Sequence, residues 1–124
     1  MSSERKTVLV LDDDPALLMI VKYALADLLG QISFHTCTRI HEGLRDLNPD
    51  VVVSDIHFPR ISGEETVRVL RTFFPKIPMG IMSGVTPLQL PDLIATYRIE
   101  FISKDNLLGE LGPFVSSLLA QSTT

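Results

Sequence analysis

The side chains best suited to hold charge at a reaction centre are Asp12, Asp13, Asp14, Asp55, Ser83 and Lys104, each standing just after a short apolar run. Carboxylates crowded within a few ångströms raise one another's pKa or demand a cation. Hard oxygen donors with room for water suit Mg2+, which takes one or two carboxylates together with phosphate oxygens. Lys104 would add a fixed positive charge and Ser83 a hydroxyl donor. Such a set could hold a phosphoryl group with Asp55 placed in line as a nucleophile. Asp14 has a plainer use: followed by Pro15, it reads as the cap of a helix start.

These residues meet only if the chain folds so that the ends of its apolar runs converge. Residues 7–11 form a β-branched and apolar stretch of the kind covered on both faces in a parallel sheet. A helix is predicted from Pro15, with Leu17, Leu18, Val21, Ala24, Leu25 and Leu28 at helical spacing and Gly30 as its stop. The pattern then repeats. Residues 31–36 make a more polar strand, expected at a sheet edge, and 39–47 a short helix ended by Asn48-Pro49. The run 50–54 leads into Asp55, and a turn at 59–63 into a helix over 64–74. A strand over 78–82 leads to Ser83, and 88–97 is read as helical. Residues 100–103 form a fifth strand leading to Lys104, and a last helix lies between 107 and 120.

Five strand-then-helix units imply a parallel sheet with helices on both faces. Right-handed crossovers favour a doubly wound three-layer α/β/α sandwich. All parallel strands point the same way, so Asp12, Asp13, Asp55, Ser83 and Lys104 would share one rim, where such sheets bind ligands.

In this order and spacing, Leu11-Asp12-Asp13, the segment from Ser54-Asp55 through Pro59 to Gly63, Met82-Ser83-Gly84 and Phe101-Ile102-Ser103-Lys104 resemble a bacterial response-regulator receiver domain of two-component signalling. The resemblance covers residues 6 to about 120, so one domain over 1–124 is expected, its tail the start of a linker, and it implies a flavodoxin-like five-stranded parallel sheet with strand order 2-1-3-4-5. It implies that Asp55 is the phosphoacceptor, loaded by a histidine kinase or phosphotransfer protein. It also implies Mg2+ bound by Asp13, Asp55 and the backbone carbonyl of His57, with Asp12 acting largely through water. Lys104 would pair with the phosphoryl oxygens and Ser83 would move to bond them. Phe101 would be the aromatic that swings inward when Ser83 is engaged. A face made by the fourth helix, fifth strand and fifth helix would then meet a downstream protein or effector domain, and a homodimer through those helices is left open.

The chain departs from the family pattern at several positions. Asp105 stands where a proline usually follows the lysine, and its carboxylate could compete for the ammonium. Phe101 lacks a tyrosine's hydroxyl, and Gly84 replaces a commoner alanine, loosening that loop. Pro91 must sit in a first turn or shorten the fourth helix, while Gly109, Gly112 and Pro113 are expected to interrupt the last helix near its start. His57 and Val85 flank the attacking water's path in the family and are candidates for tuning the phosphoryl lifetime; an exposed loop residue is the plainer reading of His57. Leu88, Leu90, Leu93 and Ile94 suit core packing better than a partner face.

Composition narrows the field. With 45% apolar and 21% charged residues the chain is globular in type. A net charge of −4, with 11 Lys and Arg dispersed, argues against direct nucleic-acid or anionic-membrane binding. Cys37 is the single cysteine, read as a buried structural thiol, and His35 and His41 as ordinary surface or edge residues. No secretory signal is visible and the apolar stretch 16–29 is broken by Lys22 and Asp27, so a cytoplasmic location is expected. Among other functions, a haloacid-dehalogenase-like phosphatase would use Asp12-x-Asp14, but needs a further acidic pair after the lysine. A pseudo-receiver acting only as a binding module is the other alternative. A flavin-binding relative would need a Ser/Thr/Gly phosphate loop in place of three aspartates. A switch without turnover of a diffusible substrate is the expected reading.

Overall fold

The computed structural model describes residues 5–122. Five strands, β1 (Lys6–Leu11), β2 (Ile32–Cys37), β3 (Val51–Asp55), β4 (Met79–Ser83) and β5 (Ile99–Ser103), form one parallel sheet in the order β2-β1-β3-β4-β5. The helices are α1 (Pro15–Ala24), α2 (Gly63–Phe73), α3 (Leu90–Tyr97) and α4 (Leu107–Gln121). The predicted fourth and fifth helices are therefore α3 and α4.

Alternation along the strands divides the core between two faces. Val8, Val10, Val51, Val53, Met82 and Ile102 pack under α1 and α4, against Leu18, Val21, Leu111, Val115 and Leu118. Leu9, Leu11, Val52, Met79, Ile81 and Ile99 pack under α2 and α3, against Val67, Leu70 and Leu93. The central strands β3 and β4 are buried along their whole length, apolar until the polar residues Ser54, Asp55 and Ser83 at their ends. The edge strand β2 is only partly covered. α4 lies so close to the sheet that a Cβ on Gly80 would run into the ring of Phe114.

Local chemistry starts the helices. Asp14 Oδ1 accepts the Ala16 amide at 3.0 Å with Pro15 behind it, and Ser62 Oγ accepts the Glu65 amide at 3.1 Å. Pro91 falls in the first turn of α3, as its ring demands.

Three expectations need correction. Residues 39–47 hold no α-helix; Glu42–Leu47 form 3-10 turns begun by His41, with Leu44 as the one buried side chain among them. One apolar anchor cannot hold a longer helix against the sheet. α1 stops at Ala24, before Gly30, and passes into a 3-10 turn at Ala26–Leu28; Gly30 has no positive φ and does not cap it. α4 runs unbroken through Gly109, Gly112 and Pro113. The carbonyl that Pro113 cannot satisfy belongs to exposed Gly109, where solvent can take it.

At the pole opposite the strand ends, Arg71 on α2 joins four carbonyls: Tyr97 at 2.9 Å, Phe74 at 2.9 Å, Ile77 at 2.8 Å and Arg98 at 3.2 Å. Its guanidinium thereby binds the C-terminal ends of α2 and α3, where the helix dipoles favour a cation. Burial, then the neighbouring Arg98, pulls the Arg71 pKa below the usual arginine value.

Candidate functional site

The chain leaves β1 at Leu11 and turns at once, because the buried carboxylate of Asp12 accepts the amide of Asp14 at 2.9 Å. The next turn follows the same rule. At the end of β3, Asp55 Oδ1 accepts the His57 amide at 3.2 Å, and the buried hydroxyl of Ser54 donates to the Asp55 carbonyl at 2.8 Å. Short acidic side chains thus bend the chain away from the sheet while keeping their remaining oxygens on the rim. β5 ends by a similar device: Ser103 Oγ accepts the Asp105 amide at 3.1 Å, and Lys104 opens a 3-10 turn, Lys104–Asn106.

These turns bring the side chains together. Lys104 Nζ lies 2.8 Å from Asp12 Oδ2 and 3.2 Å from Asp55 Oδ1. One carboxylate oxygen from each of Asp12, Asp13 and Asp55 lies within 4.8 Å of the others. Asp12 and Asp55 are buried, whereas Asp13 is exposed. Among the described residues Lys104 is the one charged partner of the buried Asp12 Oδ2, so this oxygen keeps a further lone pair for a cation or water. The electrostatics follow. Burial drives the Asp12 pKa above its ordinary value, with Asp55 adding to the rise, and contact with Lys104 and the Asp14 amide only partly offsets it. Burial alone would lower Lys104, but Asp12 and Asp55 together outweigh it and the ammonium is held above its ordinary value. An oxygen-lined cluster with an under-satisfied carboxylate oxygen fits a hard divalent ion such as Mg2+.

Ser83 ends β4 beside this group, buried, and its hydroxyl is in use: Oγ donates to the Val85 carbonyl at 2.6 Å and accepts the Val85 amide at 3.1 Å. Val85 is 73% exposed and Leu88 96% exposed, so the β4–α3 loop projects apolar side chains into solvent. Leu93 is core, as expected, and Leu90 is partly buried, but Leu88 and Ile94 are exposed. Phe101 is half-buried, in register with Ile81 across the β4–β5 pair. The side chain of His57 is exposed. Asp105, the departure from the family pattern, leaves Lys104 to Asp12 and Asp55: among the described residues its carboxylate forms no ion pair with it.

Asp14 caps α1, the plainer of its two readings, and the phosphatase alternative loses the second acid of its Asp-x-Asp pair to that cap. Cys37 is half-buried instead of buried; its Sγ donates to the Arg39 carbonyl at 3.4 Å and lies 3.6 Å from His41 Nε2. His41 is more than a surface residue, since its Nδ1 accepts the Gly43 amide at 3.1 Å and starts the 3-10 turns. Ser54, which braces Asp55, went unread in the sequence; a hydroxyl within an otherwise apolar strand was the available signal.

A family model for the response regulator receiver domain matches residues 8–111. The chain belongs to that family. Among curated proteins, this receiver is 30% identical over 86 residues to the DNA-binding transcriptional regulator NtrC of Escherichia coli K12, and 33% identical over 107 residues to the two-component response regulator ARR2 of Arabidopsis thaliana. The matches cover 68% and 75% of the chain but only 18% and 16% of those proteins. Among solved structures, the signal receiver domain of an HD domain-containing protein from Pseudomonas fluorescens Pf-5 superposes with a TM-score of 0.81 at 20% identity, covering 98% of this chain and 92% of that one. The chemotaxis response regulator CheY4 of Vibrio cholerae gives 0.76 at 20% identity, covering 94% and 100%. The five-stranded sheet order is that of this fold. Among the described residues no helix is long and apolar enough to cross a membrane.

Proposed function

We propose that this receiver is a phosphorylation switch in which Asp55 accepts a phosphoryl group from a histidine kinase or phosphotransfer protein. The observation that carries the reading is the convergence of Asp12, Asp13, Asp55 and Lys104 on one rim, with Ser83 ending the next strand one residue past the Met82 that pairs with Asp55. Asp55 Oδ1 already accepts the His57 amide and faces Lys104, which leaves Oδ2 to attack phosphorus. Asp13, Asp55 and the His57 carbonyl would hold Mg2+ directly and Asp12 through water; the ion supplies charge neutralisation for the transferring oxygens. Lys104 would follow the new negative charge from Asp12 toward the phosphoryl oxygens.

Ser83 carries the signal outward. Its single hydroxyl proton is given to Val85 in this state and must leave that carbonyl to reach a phosphoryl oxygen. Release of Val85 frees the loop before α3, and Phe101 takes up space vacated near Ser83. The face formed by α3, β5 and α4 then offers a downstream protein or effector domain different contacts in the two states, the condition for a population shift. His57 and Val85 tune the lifetime by screening the water's approach to the aspartyl phosphate; unchanged phosphate loss in both His57→Ala and Val85→Ala would remove that role. The receiver core spans about residues 6–120. It turns over no diffusible substrate beyond slow loss of its own phosphoryl group, works in the cytoplasm, and contacts no nucleic acid directly.

The test is incubation with phosphoramidate and Mg2+, followed by intact mass. One added phosphoryl group that is absent in Asp55→Asn is expected. No addition, or addition that persists in Asp55→Asn, overturns the reading.

A further inference from the structure

Beside the acidic cluster, a shallow groove of about 330 Å3 runs between the loop after β2 and the turn after β3. Its walls are apolar, from Ile40, Phe58 and Ile61, and Asp13 closes the end nearest the acceptor. Arg39 and Arg60 line it from the two opposite loops, and both side chains are exposed. Among the described residues, neither guanidinium has a carboxylate partner: the ion pairs involve Arg45, Arg68 and Lys104. In a chain of net charge −4, two arginines without a carboxylate partner flank one apolar groove and outnumber its single acidic lining residue, Asp13.

The turn carrying Arg60 adds a second sign. The Ile61 amide reaches the Phe58 carbonyl at 3.5 Å across Pro59 and Arg60, and Arg60 has φ 74°. That left-handed position in a Pro-containing turn favours glycine, and an arginine there carries local backbone strain. Among the described residues its guanidinium forms no hydrogen bond or ion pair that would offset the strain.

We propose that this groove docks an acidic segment of the protein that loads Asp55, an apolar side chain entering between Ile40 and Ile61 while flanking carboxylates meet Arg39 and Arg60. The inference rests on the reading of Asp55 as acceptor, because a donor protein reaching Asp55 must cover the rim on which Asp13 and the groove open. Planar guanidiniums recognise carboxylates through paired hydrogen bonds, and an apolar wall between them selects a protein segment over a bare polyanion. Asp13 at one end repels carboxylates, so the acidic groups must sit at the arginines and not at the metal side.

The experiment uses amide NMR of the 15N-labelled chain titrated with acetyl-Asp-Leu-Asp-amide, with acetyl-Lys-Leu-Lys-amide and a hexathymidylate as comparisons. Shifts confined to the amides of residues 38–40, 58, 60 and 61, produced by the acidic peptide alone and weakened about tenfold in Arg39→Glu/Arg60→Glu, are expected. No shifts there, equal shifts with the basic peptide, or larger shifts with the oligonucleotide overturn the proposal. Labelling of the double variant by phosphoramidate is measured separately. Labelling within about threefold of the parent shows an intact acceptor, so loss of peptide binding reports the groove alone. Failure of the parent chain to label Asp55 strikes the acceptor reading and leaves the peptide result to judge the groove.

Discussion

Nζ of Lys104 lies 3.2 Å from Oδ1 of Asp55, the same oxygen that accepts the amide of His57. One ammonium therefore answers two buried carboxylates, Asp12 and Asp55. Lys104→Met should lower the stability of the metal-free fold by about 1–3 kcal/mol, because it strands both acids without a counter-charge. Added Mg2+ should recover part of that loss. The linkage has a definite sign: with Lys104 held above its unfolded value of 10.5, its contribution is complete below that pH and fades as pH rises through the folded value. Urea titrations of both proteins from pH 7 into the alkaline range check this, and an unchanged difference above pH 10.5 would contradict it.

Asp12 behaves in the opposite sense. Its raised pKa means that the folded chain keeps a proton just above pH 3.8 that the unfolded chain has lost, so unfolding free energy falls as pH rises through that window. Asp12→Asn should stabilise the metal-free fold by about 1 kcal/mol near neutral pH and flatten this slope. The same variant should bind Mg2+ more weakly, read by calorimetry.

Ser83→Ala removes both hydrogen bonds that tie Ser83 to Val85. Hydrogen exchange at the Val85 amide should accelerate by roughly fivefold to tenfold, matching about 1 kcal/mol of local protection, while amides of β4 stay protected. Equal exchange in the two proteins would show that the clasp does not hold the loop.

Arg60→Gly should raise stability by about 0.5–1 kcal/mol, since the left-handed turn position no longer opposes a side chain. Thermal unfolding measures it, and a lower midpoint would mean that Arg60 makes a stabilising contact.

Arg71→Met should cost about 2–4 kcal/mol, because four carbonyls at two helix ends lose one shared donor. Chemical unfolding with an unchanged midpoint would refute that role.

Most of the sheet was legible because its central strands are buried on both faces, so Val51 to Val53 and Ile81 to Met82 had to be continuously apolar and had to end where Asp55 and Ser83 begin. The acid, hydroxyl and lysine positions inherit that clarity from strand ends. Helix boundaries were harder. Gly30 looked like a stop but takes no left-handed conformation, and Pro113 looked like a breaker but leaves unsatisfied only a carbonyl that solvent reaches. Arg71 was not legible at all: its bonds to Tyr97 and Arg98 span 26 and 27 residues, and no local spacing marks them. The Cys37 contact with His41 was equally hidden, because it depends on a 3-10 turn in place of the expected helix.

The two attachments of α3 differ in kind. Arg71 clamps its far end to the body of the molecule through the carbonyls of Tyr97 and Arg98, whereas its near end hangs from a loop pinned at Val85 by one serine. On the proposed switching role of Ser83, loss of that latch would loosen the segment carrying Leu88, the most exposed leucine among the described residues, and leave Tyr97 held.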